Sequence, residues 1–111
     1  MGLRQDRLAD QVRDVIASFF SAGQLNDPRL DGVTITAVKL SADLQIAKVY
    51  FRLYNGQDES DARKGLARAS SMFRRRLAST LDCRRIPSLQ YFFDESVENA
   101  SRIEDLLRNL N

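Results

Sequence analysis

Leu8, Val12, Val15, Ile16 and Phe19 recur at steps of three and four through residues 3–22, the spacing of an amphipathic helix. Gly23 follows, a residue that ends a helix in left-handed conformation without steric cost. After the turn cluster Asn26-Asp27-Pro28-Arg29, the β-branched run Val33–Leu40 predicts a strand. Its alternation is broken. Val33, Ile35 and Ala37 share one face while Val38 and Leu40 lie on the other, so either a bulge shifts the phase near Ala37 or both faces are partly covered. Ser41-Ala42-Asp43-Leu44 makes a tight connection into residues 45–54, the clearest strand. There Ala47, Val49, Phe51 and Leu53 alternate with Lys48, Tyr50, Arg52 and Tyr54.

Helical spacing returns in residues 62–81, where Ala62, Leu66, Ala69, Phe73, Leu77 and Leu81 form one apolar side. Asp58, Glu59 and Asp61 fall at its start, where carboxylates complement exposed N–H groups. Gly65 and the pair Ser70-Ser71 weaken the middle, since Gly costs about 1 kcal/mol relative to Ala and paired serines mark kinks. Two helices meeting at an angle near Ala69, Ser70 and Ser71 are expected. Such a break would bend the surface into a clamp and free backbone N–H groups at the start of its second half, a natural phosphate position. Beyond Pro87, Leu89, Tyr91 and Phe93 alternate against Phe92 in a third strand, Ser88–Phe93. A closing helix is expected from Val97, Ala100, Ile103, Leu106, Leu107 and Leu110, with a capping box from Ser101 to Glu104.

The order helix, strand, strand, helix pair, strand, helix has a two-layer solution with the helices on one face of a three-stranded sheet. The third strand arrives by a crossover through the helix pair, and the other face stays open. A chain of 111 residues with 43% hydrophobic and 29% charged composition reads as a single soluble domain over residues 1–111. The lone Cys83 gives no internal disulfide, and no apolar run approaches a membrane span, so a cytoplasmic protein is expected.

Charge adds what periodicity does not. The net is only +2, yet residues 63–85 hold eight basic side chains against the single acid Asp82, a local balance of +7 that leaves −5 elsewhere. A polyanion is drawn to that region and repelled from the rest. Lys64, Arg68 and Arg75 fall within about 40° of one another opposite the apolar stripe, with Ser71 between them. Arg predominates, and its planar fork suits phosphate oxygens. Lys48, Tyr50 and Arg52 add a second combination, cations beside an aromatic ring, which reads either as a surface on which bases can stack or as an ordinary solvated sheet face, where tyrosine is also common.

Catalysis finds little support. The chain has no histidine, no paired metal-ligand spacing and no phosphate-cradling glycine loop, so no metal, cofactor or small-molecule substrate is expected. Cys83, beside Arg84 and Arg85, lacks a nameable base.

The chain resembles the bacterial ribosome-binding factor A family. The resemblance rests on Asp27-Pro28-Arg29, Val33-Thr34-Ile35-Thr36 through Val38, Ser41-Ala42-Asp43-Leu44 with Ala47-Lys48-Val49-Tyr50, Leu66 through Arg74-Arg75-Arg76-Leu77-Ala78, Arg84-Arg85-Ile86-Pro87-Ser88-Leu89, Phe93-Asp94-Glu95-Ser96, and Ile103 through Leu107. It implies an α+β, type II KH-like domain, α-β-β-α-kink-α-β with a C-terminal helix. It further implies a non-enzymatic factor that binds 16S RNA within the immature small (30S) ribosomal subunit and aids late maturation, including processing of that RNA's 5′ end, notably in the cold. The family's Ala-x-Gly kink corresponds to Ala69-Ser70-Ser71 here. The expected RNA contacts are Lys64, Arg68, Arg74, Arg75 and Arg76, extended by Arg84 and Arg85, with Lys48, Tyr50 and Arg52 as further candidates on a monomer. The rival reading is a protein–protein adaptor that uses the same charged helical surface.

Overall fold

Residues 3–54, 56–81 and 85–95 are described by the computed structural model, and local capping chemistry sets where its elements begin and end. Helix α1, Leu3–Ser21, closes through Gly23 at φ +66°, the Gly23 and Gln24 amides donating to the Phe20 and Phe19 carbonyls. Asp27 then caps a short 3-10 turn, Pro28–Leu30. Its carboxylate accepts from the Arg29 amide at 3.0 Å and from the Arg29 guanidinium at 2.7 Å, and the turn delivers Leu30 into the core.

Strands β1, Val33–Leu40, and β2, Ile46–Leu53, form an antiparallel hairpin. In its turn the Asp43 carboxylate accepts from the Ser41 hydroxyl and the Gln45 amide, which holds its pKa below the ordinary value. Helix α2, Glu59–Thr80, begins on Asp58, whose side chain accepts from the Ser60 amide at 2.8 Å. It crosses over the sheet to strand β3, Ser88–Phe93, which pairs parallel to β2, giving the order β1-β2-β3. The α+β fold read from the sequence is therefore present. The closing helix expected beyond residue 95 lies outside the described residues.

The broken alternation of β1 is a bulge. Ile35 pairs with Phe51 and Ala37 with Tyr50, so Thr36 is the extra residue and the phase reverses across it. Val33, Ile35, Val38 and Leu40 consequently all face the helices, while Thr34, Ala37 and Lys39 lie on the other face.

One core joins the layers. Val12, Ile16 and Phe19 from α1 meet Leu66, Phe73 and Leu77 from α2 over Val49 and Phe51 of β2. The Phe19 and Phe73 rings stand edge to face at 5.2 Å. Truncating a fully buried phenylalanine such as Phe73 to alanine costs about 3–5 kcal/mol.

The structure corrects one local expectation. Helix α2 is a single 22-residue helix that runs unbroken through Ala69, Ser70 and Ser71. None of the three is a glycine favouring positive φ. Ser70 satisfies its hydroxyl without leaving the helix, donating to the Leu66 carbonyl at 3.2 Å and lying 2.6 Å from the Tyr91 hydroxyl. Ala69 and Phe73 are buried on either side, which holds the segment down. The second helix start expected after the break, with its free N–H groups, does not exist.

The Ser70–Tyr91 contact ties the middle of α2 to β3, and burial pushes the Tyr91 hydroxyl's pKa up from 10.0 to about 12. Below pH 10 this postponed ionisation favours the folded state. The advantage is lost as pH rises through about 12, because the unfolded chain releases its proton first. Tyr91→Phe is expected to lower stability at neutral pH by about 0.5–1.5 kcal/mol. The gap to the parent should then close and reverse as pH rises from 10 through about 12, because the parent alone loses the stability linked to this proton, as read from urea midpoints at each pH. A constant gap across that range would show that Tyr91 does not titrate this way.

Candidate nucleic-acid interface

Burial of one side of α2 dictates what the other side presents. Ala62, Gly65, Leu66, Ala69, Phe73 and Leu77 are buried, and Lys64, Arg68, Ser71 and Arg75 are exposed along the opposite face. The side chains of Lys64, Arg68 and Arg75 make no hydrogen bond or ion pair among the described residues. The carboxylates of this helix are confined to its first turn, where Glu59 pairs with Arg63 at 3.5 Å. From Ala62 to Thr80 the helix carries no acid. The ridge is thus positive, carried on one continuous helix and not neutralised from within that helix.

Arg74 and Arg76 do not extend this line. They splay to its two sides. Arg74 donates to the Ile86 carbonyl at 3.4 Å, toward the loop before β3, while the Arg76 guanidinium lies 4.8 Å over the Phe19 ring and donates to Gln24 Oε1 at 3.4 Å. Arg85 is exposed in the loop before β3, which adds charge on the Arg74 side. Arg84 lies outside the described residues. Of the three expected kink residues, Ser71 alone faces solvent within the ridge, since Ala69 is buried and Ser70 turns to Tyr91.

Beside Arg68 an open cleft of about 360 Å³ separates α2 from residues 25–30, walled by Leu25, Pro28, Ala69 and Met72. Gly65 permits this approach, because a Cβ there would stand 3.0 Å from the Leu30 side chain and 3.3 Å from Arg29 Cβ. The Asp27 carboxylate at its edge is committed to Arg29, and those hydrogen bonds pull its pKa from 3.8 down to about 2, with Arg68 contributing.

The remaining predicted residues are elsewhere. Lys48, Tyr50 and Arg52 sit on the face of the sheet turned away from both helices, and nothing among the described residues packs over it. The Tyr50 ring lies 5.8 Å from that of Phe92, tilted by 34°, and Lys39 Nζ stands 5.7 Å from the Tyr50 ring centre. Lys39 and Phe92 belong to this cluster but were not singled out from the sequence. The signal for Phe92 was its opposition to Leu89, Tyr91 and Phe93, whereas Lys39 was hidden by the bulge that reverses the phase of β1. At the rim, the Thr36 hydroxyl donates to Asp94 Oδ2 at 2.6 Å and Arg52 to the Asp94 carbonyl at 3.4 Å.

Comparison with known proteins bears on this arrangement. A family model described as ribosome-binding factor A matches residues 4–107. Ribosome-binding factor A of Pelobacter propionicus is 40% identical over 99% of this chain and 90% of its own length. That of Desulfatibacillum aliphaticivorans is 38% identical over 96% of this chain and 87% of its own. Among solved structures, ribosome-binding factor A from Thermus thermophilus superposes with a TM-score of 0.71 at 31% identity, covering 80% of this chain and 93% of that one. A homology model of the Thermus thermophilus factor, fitted into an electron cryo-microscopy map of a 30S complex, superposes with a TM-score of 0.65 at 31% identity, over 82% and 96% of the two chains.

Because Asp27 is held ionised well below the ordinary range, the Asp27–Arg29 clamp is expected to survive acidification through pH 3.8 and to be lost only as pH falls through about 2. Carboxyl-carbon NMR titration reads this directly. A midpoint near 3.8 for Asp27 would show that the clamp does not form in solution.

Proposed function

The chain belongs to the ribosome-binding factor A family, and from that premise we propose that it binds the free, immature small ribosomal subunit through 16S RNA, with the α2 ridge as the principal contact. It assists late maturation there, including processing at the RNA's 5′ end, with greatest effect in the cold, and works in the cytoplasm as a monomer without cofactor or catalytic step. The Thermus thermophilus relative fitted into a 30S complex supports the choice of partner. The observation that carries the reading is the ridge itself: Lys64, Arg68 and Arg75 aligned and without ion pairs among the described residues, backed by the buried stripe of the same helix.

A cationic helix holds phosphates without the cost of ordering its backbone at the moment of binding, because backbone and support are already folded and only the long side chains are immobilised. Arg74 and Arg85 on one side and Arg76 on the other widen the contact, with Arg84 in the same basic segment. Such contacts orient an RNA without reading its sequence, so discrimination rests on shape and on unpaired bases. Each phosphate contact releases counterions, which makes the affinity fall steeply with salt. Lys48, Tyr50 and Arg52 belong to the proposal only as a separate contact, since they face the other way.

Arg68→Glu with Arg75→Glu reverses the ridge at exposed positions. Stability is expected to stay within about 0.5 kcal/mol for each change, as for surface substitutions away from packed features. Affinity for free small subunits is expected to fall roughly a hundredfold, since charge-assisted hydrogen bonds contribute about 1.5–3 kcal/mol each. Retained co-sedimentation with free subunits would overturn the ridge as the contact. Binding that the double variant loses but bulk RNA does not compete away would favour a protein adaptor instead.

A further inference from the structure

We propose that the sheet face opposite α2 is a second RNA-binding surface, a stacking platform for unpaired nucleotides, so that one molecule holds two separate RNA segments across its thickness. The inference rests on the reading of the protein as an RNA binder. It adds where unpaired bases are engaged and that the engagement is independent of the ridge.

Three observations carry it. The first is separation. The helical layer and the sheet lie between Arg68 or Arg75 and Tyr50, so a duplex lying along the ridge does not reach the platform.

The second is composition across the three strands. Strand pairing places Ala37, Tyr50 and Phe92 in one row, Lys39, Lys48 and Gln90 in the next, and Arg52 on the far side of Tyr50. Lys48 and Arg52 are each two residues from Tyr50, roughly 7 Å along the strand in either direction. An aromatic pair with Phe92 36% exposed is therefore flanked by cations at both ends, the pattern that pairs base stacking with backbone phosphates.

The third is an electrostatic cost that only the contact of Lys39 with the Tyr50 ring, at 5.7 Å, offsets locally. Lys39 and Lys48 are directly paired in the antiparallel ladder, and both are exposed. Like charges placed opposite one another destabilise a sheet. Neither lysine forms an ion pair among the described residues, and Asp94, engaged at the bulge by Thr36, lies on the far side of Tyr50 from the lysine pair. A phosphate between the two ammonium groups removes the repulsion. An acidic protein segment would meet the lysines equally well, but it would leave the aromatic pair unused; the aromatic pair decides for RNA.

The test separates the two surfaces by probe. Fluorescence anisotropy with a short oligouridylate reads the platform, and a blunt RNA duplex reads the ridge. Tyr50→Leu with Phe92→Leu is expected to weaken oligouridylate binding roughly tenfold or more, given the usual contribution of one base stacked on an aromatic ring. Duplex binding should be unchanged. Arg68→Glu with Arg75→Glu is expected to do the reverse. Lys48→Glu guards against a folding artefact: it turns the like-charge pair into an opposite-charge pair, so it should raise the melting temperature while weakening oligouridylate binding.

The proposal is overturned if the folded platform variants bind oligouridylate as the parent does, or if ridge and platform variants lower both affinities together. It is also overturned if the platform variants keep oligouridylate affinity but lose small-subunit affinity, which would mark a protein-docking face. Failure of the duplex to bind the parent would count against the ridge alone and leave the platform result standing.

Discussion

The burial of one side of α2 is the constraint on which the other features depend. Phe73, Leu66 and Leu77 are wholly enclosed, and Phe73 meets Phe19 edge to face across the helix–helix contact. Because residues three and four apart share a helix face, fixing these side chains inward fixes Lys64, Arg68 and Arg75 outward with no further instruction. The core therefore sets the electrostatic surface. A small rotation of α2 would carry the ridge toward Asp27 on one side or the β3 loop on the other, and close packing resists such rotation.

The same packing accounts for two residues that look wrong in isolation. Gly65 weakens a helix interior by propensity, yet a side chain there would press into Leu30 and Arg29, so the glycine admits the Asp27-capped turn against α2. Ser70, which by local chemistry competes with helical bonding, instead returns its hydroxyl to Leu66 and reaches Tyr91 on β3. Both positions trade local preference for tertiary contact. Their joint effect is one continuous helix where the local signals announce two, and so a ridge carried on a single element.

Electrostatics then divides the molecule by face. The ridge is basic because α2 places its carboxylates only in the first turn, where they serve its N–H groups. The opposite sheet face is basic and aromatic, with Asp94 held at the bulge by Thr36. Arg74 and Arg76, adjacent in sequence to Arg75, are turned to the two flanks, so a run of three arginines contributes one residue to the ridge and two to its margins.

Residues 3–95 carried most of the architecture in periodicity alone. The 3.6-residue stripes of α1 and α2, the alternation in β2 and β3, Gly23 as a stop and the carboxylates Asp58, Glu59 and Asp61 at the start of α2 act over a few residues, and such short-range chemistry is legible without partners. The ridge was legible for the same reason, being a property of one helix. What only the tertiary structure decided involves groups distant in the chain. The bulge at Thr36 needs the register with Phe51 and Tyr50, and it alone assigns Lys39 to the open face. The continuity of α2 needs Leu30 and Tyr91, and the pairing of Tyr50 with Phe92 needs the parallel crossover. Periodicity tells each element which side is buried, but which residues of different elements become neighbours is settled by register and packing, and those exist only once the layers have met.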